Sequence, residues 1–165
     1  MKNQNTKNEL FGVPKKENFN KYALSPCYIK YDSKLEEDFA KFIDLSEKVV
    51  WWYKNGDNYG KYLGILYTSD GKERTFYPDF IIKTVEKVWI IDTKSGLITQ
   101  EAFRSGKVEA LTNWLERNPE CDGGIVVRDG DIWKIHRRIA QNEEIIDELV
   151  GESNINYYPK RKLEL

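Results

Sequence analysis

Three carboxylates and one lysine in this sequence could work on a single substrate: Glu36, Asp79, Asp92 and Lys94. Asp92-Thr93-Lys94 follows the apolar run Val88-Trp89-Ile90-Ile91. Side chains two apart on a strand project from one face, ~6–7 Å apart along the chain, so Asp92 and Lys94 leave the strand side by side. In Tyr77-Pro78-Asp79-Phe80-Ile81-Ile82 the proline cannot donate to a sheet ladder, so it marks an edge, bulge or bend that re-aims Asp79. Taken singly, each motif could be no more than a strand end meeting water. Together they say more, because the interval 92 − 79 = 13 residues fits a strand, a turn at Val85-Glu86 and a second strand. Adjacent strands then carry both carboxylates to one sheet edge. Mg²⁺ is typically held by one or two carboxylates plus phosphate oxygens. A neighbouring ammonium can orient water and stabilise charge on a phosphoryl group in transfer. That is phosphodiester hydrolysis without histidine, in a chain whose only histidine is His136.

The elements that must position these groups are readable in outline. Ser33 can cap a helix with Glu36 as its capping-box partner, and Leu35, Phe39, Phe42 and Ile43 give that helix a buried stripe. Val49-Val50-Trp51-Trp52-Tyr53 predicts a strand ending at the turn pair Asn55-Gly56. Strands are expected over 62–67 and 75–82, joined through Ser69-Asp70-Gly71, and a central strand at Val88-Trp89-Ile90-Ile91, covered on both faces. A helix is expected over about 99–117, then a hairpin of 124–127 and 132–135 through Asp129-Gly130. Ile145, Ile146, Leu149 and Val150 suggest a late helix. Residues 1–30 read as an arm whose short apolar bits could dock on a body formed by 31–165. The pattern predicts a mixed α/β sheet with helices on its faces.

Composition narrows the function. With 26 Lys+Arg against 27 Asp+Glu the net charge is −1, which argues against a purely electrostatic nucleic-acid coat but permits a local basic groove. No apolar run approaches the ~18 residues of a membrane span. The stretch from Met1 to Glu9 is polar, without the apolar core of a signal peptide, and Cys27 and Cys121 are isolated, so a cytoplasmic compartment is expected. One histidine and two scattered cysteines make no zinc site. Gly56-Asp57-Asn58-Tyr59-Gly60-Lys61 is too short for a phosphate-binding loop and has Tyr62 where Ser or Thr is needed, so the chain is not an ATP-driven motor.

The strings Phe76-Tyr77-Pro78-Asp79-Phe80-Ile81 and Ile90-Ile91-Asp92-Thr93-Lys94-Ser95-Gly96 resemble the PD-(D/E)XK nuclease signature. With Leu35-Glu36-Glu37-Asp38-Phe39 and Val50-Trp51-Trp52-Tyr53-Lys54-Asn55-Gly56 they resemble, more narrowly, the C-terminal endonuclease domain of type III restriction enzymes. The likeness is dense from about residue 34 to 114. It implies a restriction-endonuclease-like mixed β-sheet flanked by helices, with Asp79, Asp92 and Lys94 as the catalytic core. Asp79 and Asp92 would be metal ligands, and Glu36 the helix acid that helps arrange metal or water. Glu37 competes for that role, but its helical neighbours Lys41 and Asp44 look solvent-facing, whereas Glu36 shares its side with Ala40 and Ile43. The cofactor expected is Mg²⁺, with Mn²⁺ able to substitute.

The expected partners are double-stranded DNA, a helicase-type motor region and a modification (methyltransferase) subunit, with no membrane. Lys107 matches a basic position on the helix after the motif. Lys134, His136, Arg137 and Arg138 form a basic cluster where a phosphate backbone could lie. The function expected is metal-dependent DNA cleavage. The alternatives are a non-catalytic DNA-binding or subunit-docking module of the same fold, or a same-fold nuclease acting on branched DNA, DNA ends or RNA.

Overall fold

The computed structural model describes residues 15–25, 27–58, 60–95, 105–136 and 160–162. Strands β1 (Lys15–Glu17) and β2 (Cys27–Ile29) pair antiparallel. Helix α1 (Lys34–Leu45) follows, and Ser33 caps it by accepting from the Glu36 N–H at 3.2 Å. The reciprocal half of the expected capping box is displaced by one residue: Glu36 Oε2 accepts from the N–H of Asp32 at 3.0 Å. Phe39, Ala40 and Ile43 form the apolar face that α1 buries.

Next come β3 (Val49–Lys54), β4 (Ile65–Ser69), β5 (Lys72–Phe76), β6 (Phe80–Thr84) and β7 (Val88–Thr93). Helix α2 (Lys107–Arg117) leads to β8 (Cys121–Asp129) and β9 (Ile132–His136), and β10 (Lys160–Lys162) closes the described chain. The main sheet has six strands in the order β10-β9-β8-β7-β6-β3. Strands β3, β6 and β7 form an antiparallel meander, β8 lies parallel to β7, and β9 and β10 return antiparallel. This is the expected mixed α/β, restriction-endonuclease-like fold. One core packs Phe39, Ile43 and Trp52 with Phe80, Trp89 and Ile91; the other packs Val108 and Leu111 with Ile90, Ile125, Ile65 and Phe76. Helix α1 therefore covers one face, and α2 with the β4–β5 hairpin covers the other. No described helix is long and apolar enough to cross a membrane.

Three expectations are corrected. The strand expected over 75–82 is two strands in different sheets: β5 pairs only with β4, and the chain breaks at Tyr77-Pro78-Asp79 before β6 joins the main sheet. Pro78, with no N–H to give, stands at that break. The helix expected over 99–117 is interrupted at Gly106, which takes φ +82°, so its described part starts at Lys107; residues 99–104 lie outside the described residues. Asp44 does not face solvent. It accepts from the N–H groups of Asn20 (3.1 Å) and Lys21 (2.9 Å) and from Trp52 Nε1 (3.0 Å). The late helix suggested at 145–150 lies outside the described residues.

The described part of the arm docks on β3. Trp52 N–H donates to the Lys21 carbonyl at 3.0 Å, Ala23 N–H donates to the Trp52 carbonyl at 2.8 Å, and Phe19 meets the Trp52 ring edge-on at 4.9 Å. Asp44→Ala would leave three donors unmatched, and we expect it to cost about 2–3 kcal/mol. Thermal denaturation reads the loss, and limited proteolysis near Lys21 should accelerate with it.

Candidate functional site

The site begins with the bend at Pro78. Asn55 holds it: its Nδ2 donates to the carbonyls of Pro78 (2.8 Å) and Leu63 (2.9 Å), and its Oδ1 accepts from Leu63 N–H at 3.1 Å. The Asn55 backbone N–H donates to the Asp79 carbonyl at 2.8 Å. Asn55 reads in sequence as an ordinary turn residue, yet it is a buried clamp that fixes both ends of the detour carrying Asp79. Asn55→Ala removes all three side-chain bonds. The expected loss is about 2–3 kcal/mol, a Tm lower by about 4–12 °C in a domain of this size.

The Asp79 carboxylate is aimed from the other side. Its Oδ2 accepts from Thr93 N–H and Thr93 Oγ1, both at 2.7 Å, so β7 grips Asp79 immediately beside Asp92. Lys54, the last residue of β3, places its ammonium 3.6 Å from Asp79 Oδ1 and 3.3 Å from Glu36 Oε2, with its side chain only 10% exposed. Alternation along β7 puts Asp92 on the Ile90 face and Thr93 on the Ile91 face. Asp92 is 1% exposed, so the strand does not end by meeting water. Lys94 Nζ lies 2.6 Å from Asp92 Oδ2, a close ion pair. The backbone N–H of Lys94 still donates to the Val126 carbonyl at 2.9 Å, which keeps the lysine in strand register beside Asp92.

The electrostatics join the four expected residues. Burial, then the like charge of Asp79, pushes the Asp92 carboxyl up to about 8 against the pull of Lys94 and Lys107. Burial, then Asp79, also raises Glu36, with Lys54 opposing. Burial alone would lower Lys94, but the fields of Asp92, Asp79 and Glu36 outweigh it and leave its pKa raised. Glu36, Asp79, Asp92 and Lys94 thus share one electrostatic cluster astride the sheet end, Glu36 on the α1 side and Asp92 on the α2 side. Glu37 turns away, paired with Lys41 at 2.8 Å. Lys107 acts on Asp92 from the start of α2 and lies 6.0 Å from the Phe76 ring centre.

The basic cluster expected downstream fares differently. His136 is 1% exposed and cannot serve as a surface phosphate contact, because β10 pairs beside it and β9 is not a sheet edge. Lys134 is bound to Asp129. Arg137 and Arg138 lie outside the described residues. Lys54 and Asn55 are the site residues that motif reading passed over. The signal was a lysine following five strand-forming residues and placed directly before Asn-Gly, which a strand end exposed to water would not distinguish.

Asp92 Oδ2, buried and faced by the Lys94 ammonium at 2.6 Å, and Asp79 Oδ1, faced by the Lys54 ammonium at 3.6 Å, are carboxylate oxygens of the kind a hard cation takes. Among the described residues no three His, Cys, Asp or Glu side chains are gathered as a ready ligand set. The expected third ligand, Glu36, is held back by the Asp32 N–H and the Lys54 ammonium. The donors present therefore fit an ion that takes two carboxylates and completes its shell from water or phosphate.

The mixed sheet with α1 and α2 on opposite faces is a restriction-endonuclease-like fold, and acids and lysines converge where β3 and β7 end and β6 begins. A family model matches residues 20–148, and the chain belongs to the YagJ family. No curated protein and no solved structure matches it.

Proposed function

We propose that the protein is a metal-dependent deoxyribonuclease that hydrolyses phosphodiester bonds. The observation that carries this reading is the convergence of Asp79, Asp92 and Lys94 at the sheet end, with Asp79 fixed by Thr93 and Asp92 buried. Asp79 and Asp92 would hold Mg²⁺ or Mn²⁺. When bound, the ion supplies Lewis acidity to the phosphate and a nucleophilic water near neutral pH. In the metal-free protein three carboxylates raise the Lys94 pKa, and its ammonium is placed to donate to a phosphate oxygen or to the attacking water. Lys54 is a positioning residue that holds Glu36 and Asp79 in place. The resemblance in sequence further supports placing the chain with type III restriction systems, beside a motor region and a modification subunit.

The test is cleavage of supercoiled plasmid with Mg²⁺ or Mn²⁺, abolished by chelator. Asp92→Ala and Lys94→Ala should each lower the rate by about 100-fold or more. If both variants nick DNA like the parent, the assignment fails. Calorimetric titration with Mn²⁺ separates this reading from a binding module, which would hold DNA without taking up metal.

A further inference from the structure

A cleft of about 530 Å³ opens beside the cluster, with Lys54, Asn55 and Asp79 among its lining residues. We propose that this cleft receives an unpaired nucleotide, its base stacked on tyrosine rings, so that the DNA presented to Asp79 is single-stranded or locally splayed rather than a continuous duplex. The inference deepens the nuclease reading by naming its substrate class.

Among the described residues five tyrosines line the cleft: Tyr22, Tyr28, Tyr53, Tyr62 and Tyr77. Three form a row of nearly parallel rings. Tyr22 and Tyr53 are 6.1 Å apart at 4°, and Tyr53 and Tyr62 are 6.5 Å apart at 26°. The outer member, Tyr62, is 36% exposed, and Tyr28 on β2 is 70% exposed. Folding gains little from an aromatic ring left in water, whereas a planar ligand gains a stacking surface.

The charges favour a base over a phosphate backbone. Among the described residues the lining carries three lysines (Lys30, Lys54, Lys61) and three aspartates (Asp32, Asp57, Asp79), a local balance of 3 − 3 = 0. Lys30 pairs with Asp32 at 3.6 Å, and Lys54 is engaged by Glu36 and Asp79. A groove that grips duplex DNA through its phosphates needs a surplus of positive charge. A base offers its flat face to a protein ring only once it has left the stack. Lys61, exposed on the rim, can meet the one phosphate that accompanies such a base.

The test uses the full chain with Ca²⁺ in place of Mg²⁺ and a single-stranded oligonucleotide of about 12 nucleotides bearing a central 2-aminopurine. The same strand is also presented inside a blunt duplex. The single strand should bind about 10-fold more tightly than the duplex, with 2-aminopurine fluorescence quenched by stacking. Tyr62→Ala and Tyr28→Ala should each weaken single-strand binding by about 5-fold or more, and Tyr62→Trp should strengthen it. Tyr28 is largely exposed, so its variant keeps the fold, which the melting curve verifies.

Duplex binding as tight as single-strand binding would overturn the inference. So would alanine variants that melt like the parent and bind the single strand equally well. Plasmid cleavage without any strand preference would sink the cleft assignment and leave the nuclease standing. Tyrosine-dependent strand binding with no cleavage under Mg²⁺ would do the reverse.

Discussion

Asp92→Asn should be inert as a nuclease and more stable than the parent. The carboxylate is completely buried, and in the metal-free protein its pKa is pushed up to about 8, against an ordinary value of 3.8. Below the ordinary value both folded and unfolded chains hold the proton. Between it and about 8 the unfolded chain releases the proton and the folded chain keeps it. Parent stability therefore falls as pH rises through that window and levels off above it, with a ceiling of about 1.4 kcal/mol per pH unit. Asparagine has no proton to lose, so the Tm advantage of the variant, measured in chelator, should widen from acid to mildly alkaline pH. At neutral pH we expect about 1–3 kcal/mol, or roughly 2–12 °C. Mn²⁺ uptake and plasmid cleavage should vanish together. A variant that melts below the parent at every pH would show that the Lys94 contact outweighs the burial of the charge.

Gly123→Ala should fail at the level of the fold. Replacing glycine by alanine normally stabilises slightly by restricting the unfolded chain. Here a Cβ would lie 2.0 Å from the Ile90 carbonyl oxygen, which is backbone of the paired strand and cannot swing aside. The next residue has the same problem on the opposite edge: a Cβ on Gly124 would lie 2.3 Å from the His136 carbonyl oxygen. Strand β8 therefore uses two consecutive glycines to let β7 and β9 close in on it, one from each side. Opposite Gly123 stands Ile90, two residues before Asp92, so prising the strands apart there also dislodges the carboxylate. The expected cost is about 4–5 kcal/mol or outright failure to fold, read by soluble yield and thermal denaturation. A Gly123→Ala protein that melts within about 2 °C of the parent would mean that β7 and β8 can separate at little cost.

How much of this was legible in sequence depended on distance along the chain. Asp92 and Lys94 were readable because one apolar strand carries both and the side-chain period is two. Glu36 was preferred over Glu37 for the company of Ala40 and Ile43, but the contrast with a solvent-facing side was mistaken, since Glu37 and Asp44 are as buried as Glu36. Asp44 looked solvent-facing because its donors, Asn20, Lys21 and Trp52, come from segments that meet it only after folding. His136 looked like a surface group for a similar reason: the strand that covers it, β10, arrives from residue 160 onward. The Asn55-Gly56 pair carried the composition of a turn, and local propensity cannot tell a solvated turn from a buried clamp. Pro78 did announce a disturbance in its strand, but not that the chain would change sheets there.

The docking of the arm has a mechanical side. Residues 21 to 23 are tied to Trp52, and Trp52 stands two strand residues, about 7 Å, ahead of Lys54. A pull on the N-terminal segment thus has a short, stiff path to the ammonium that holds Glu36 and Asp79.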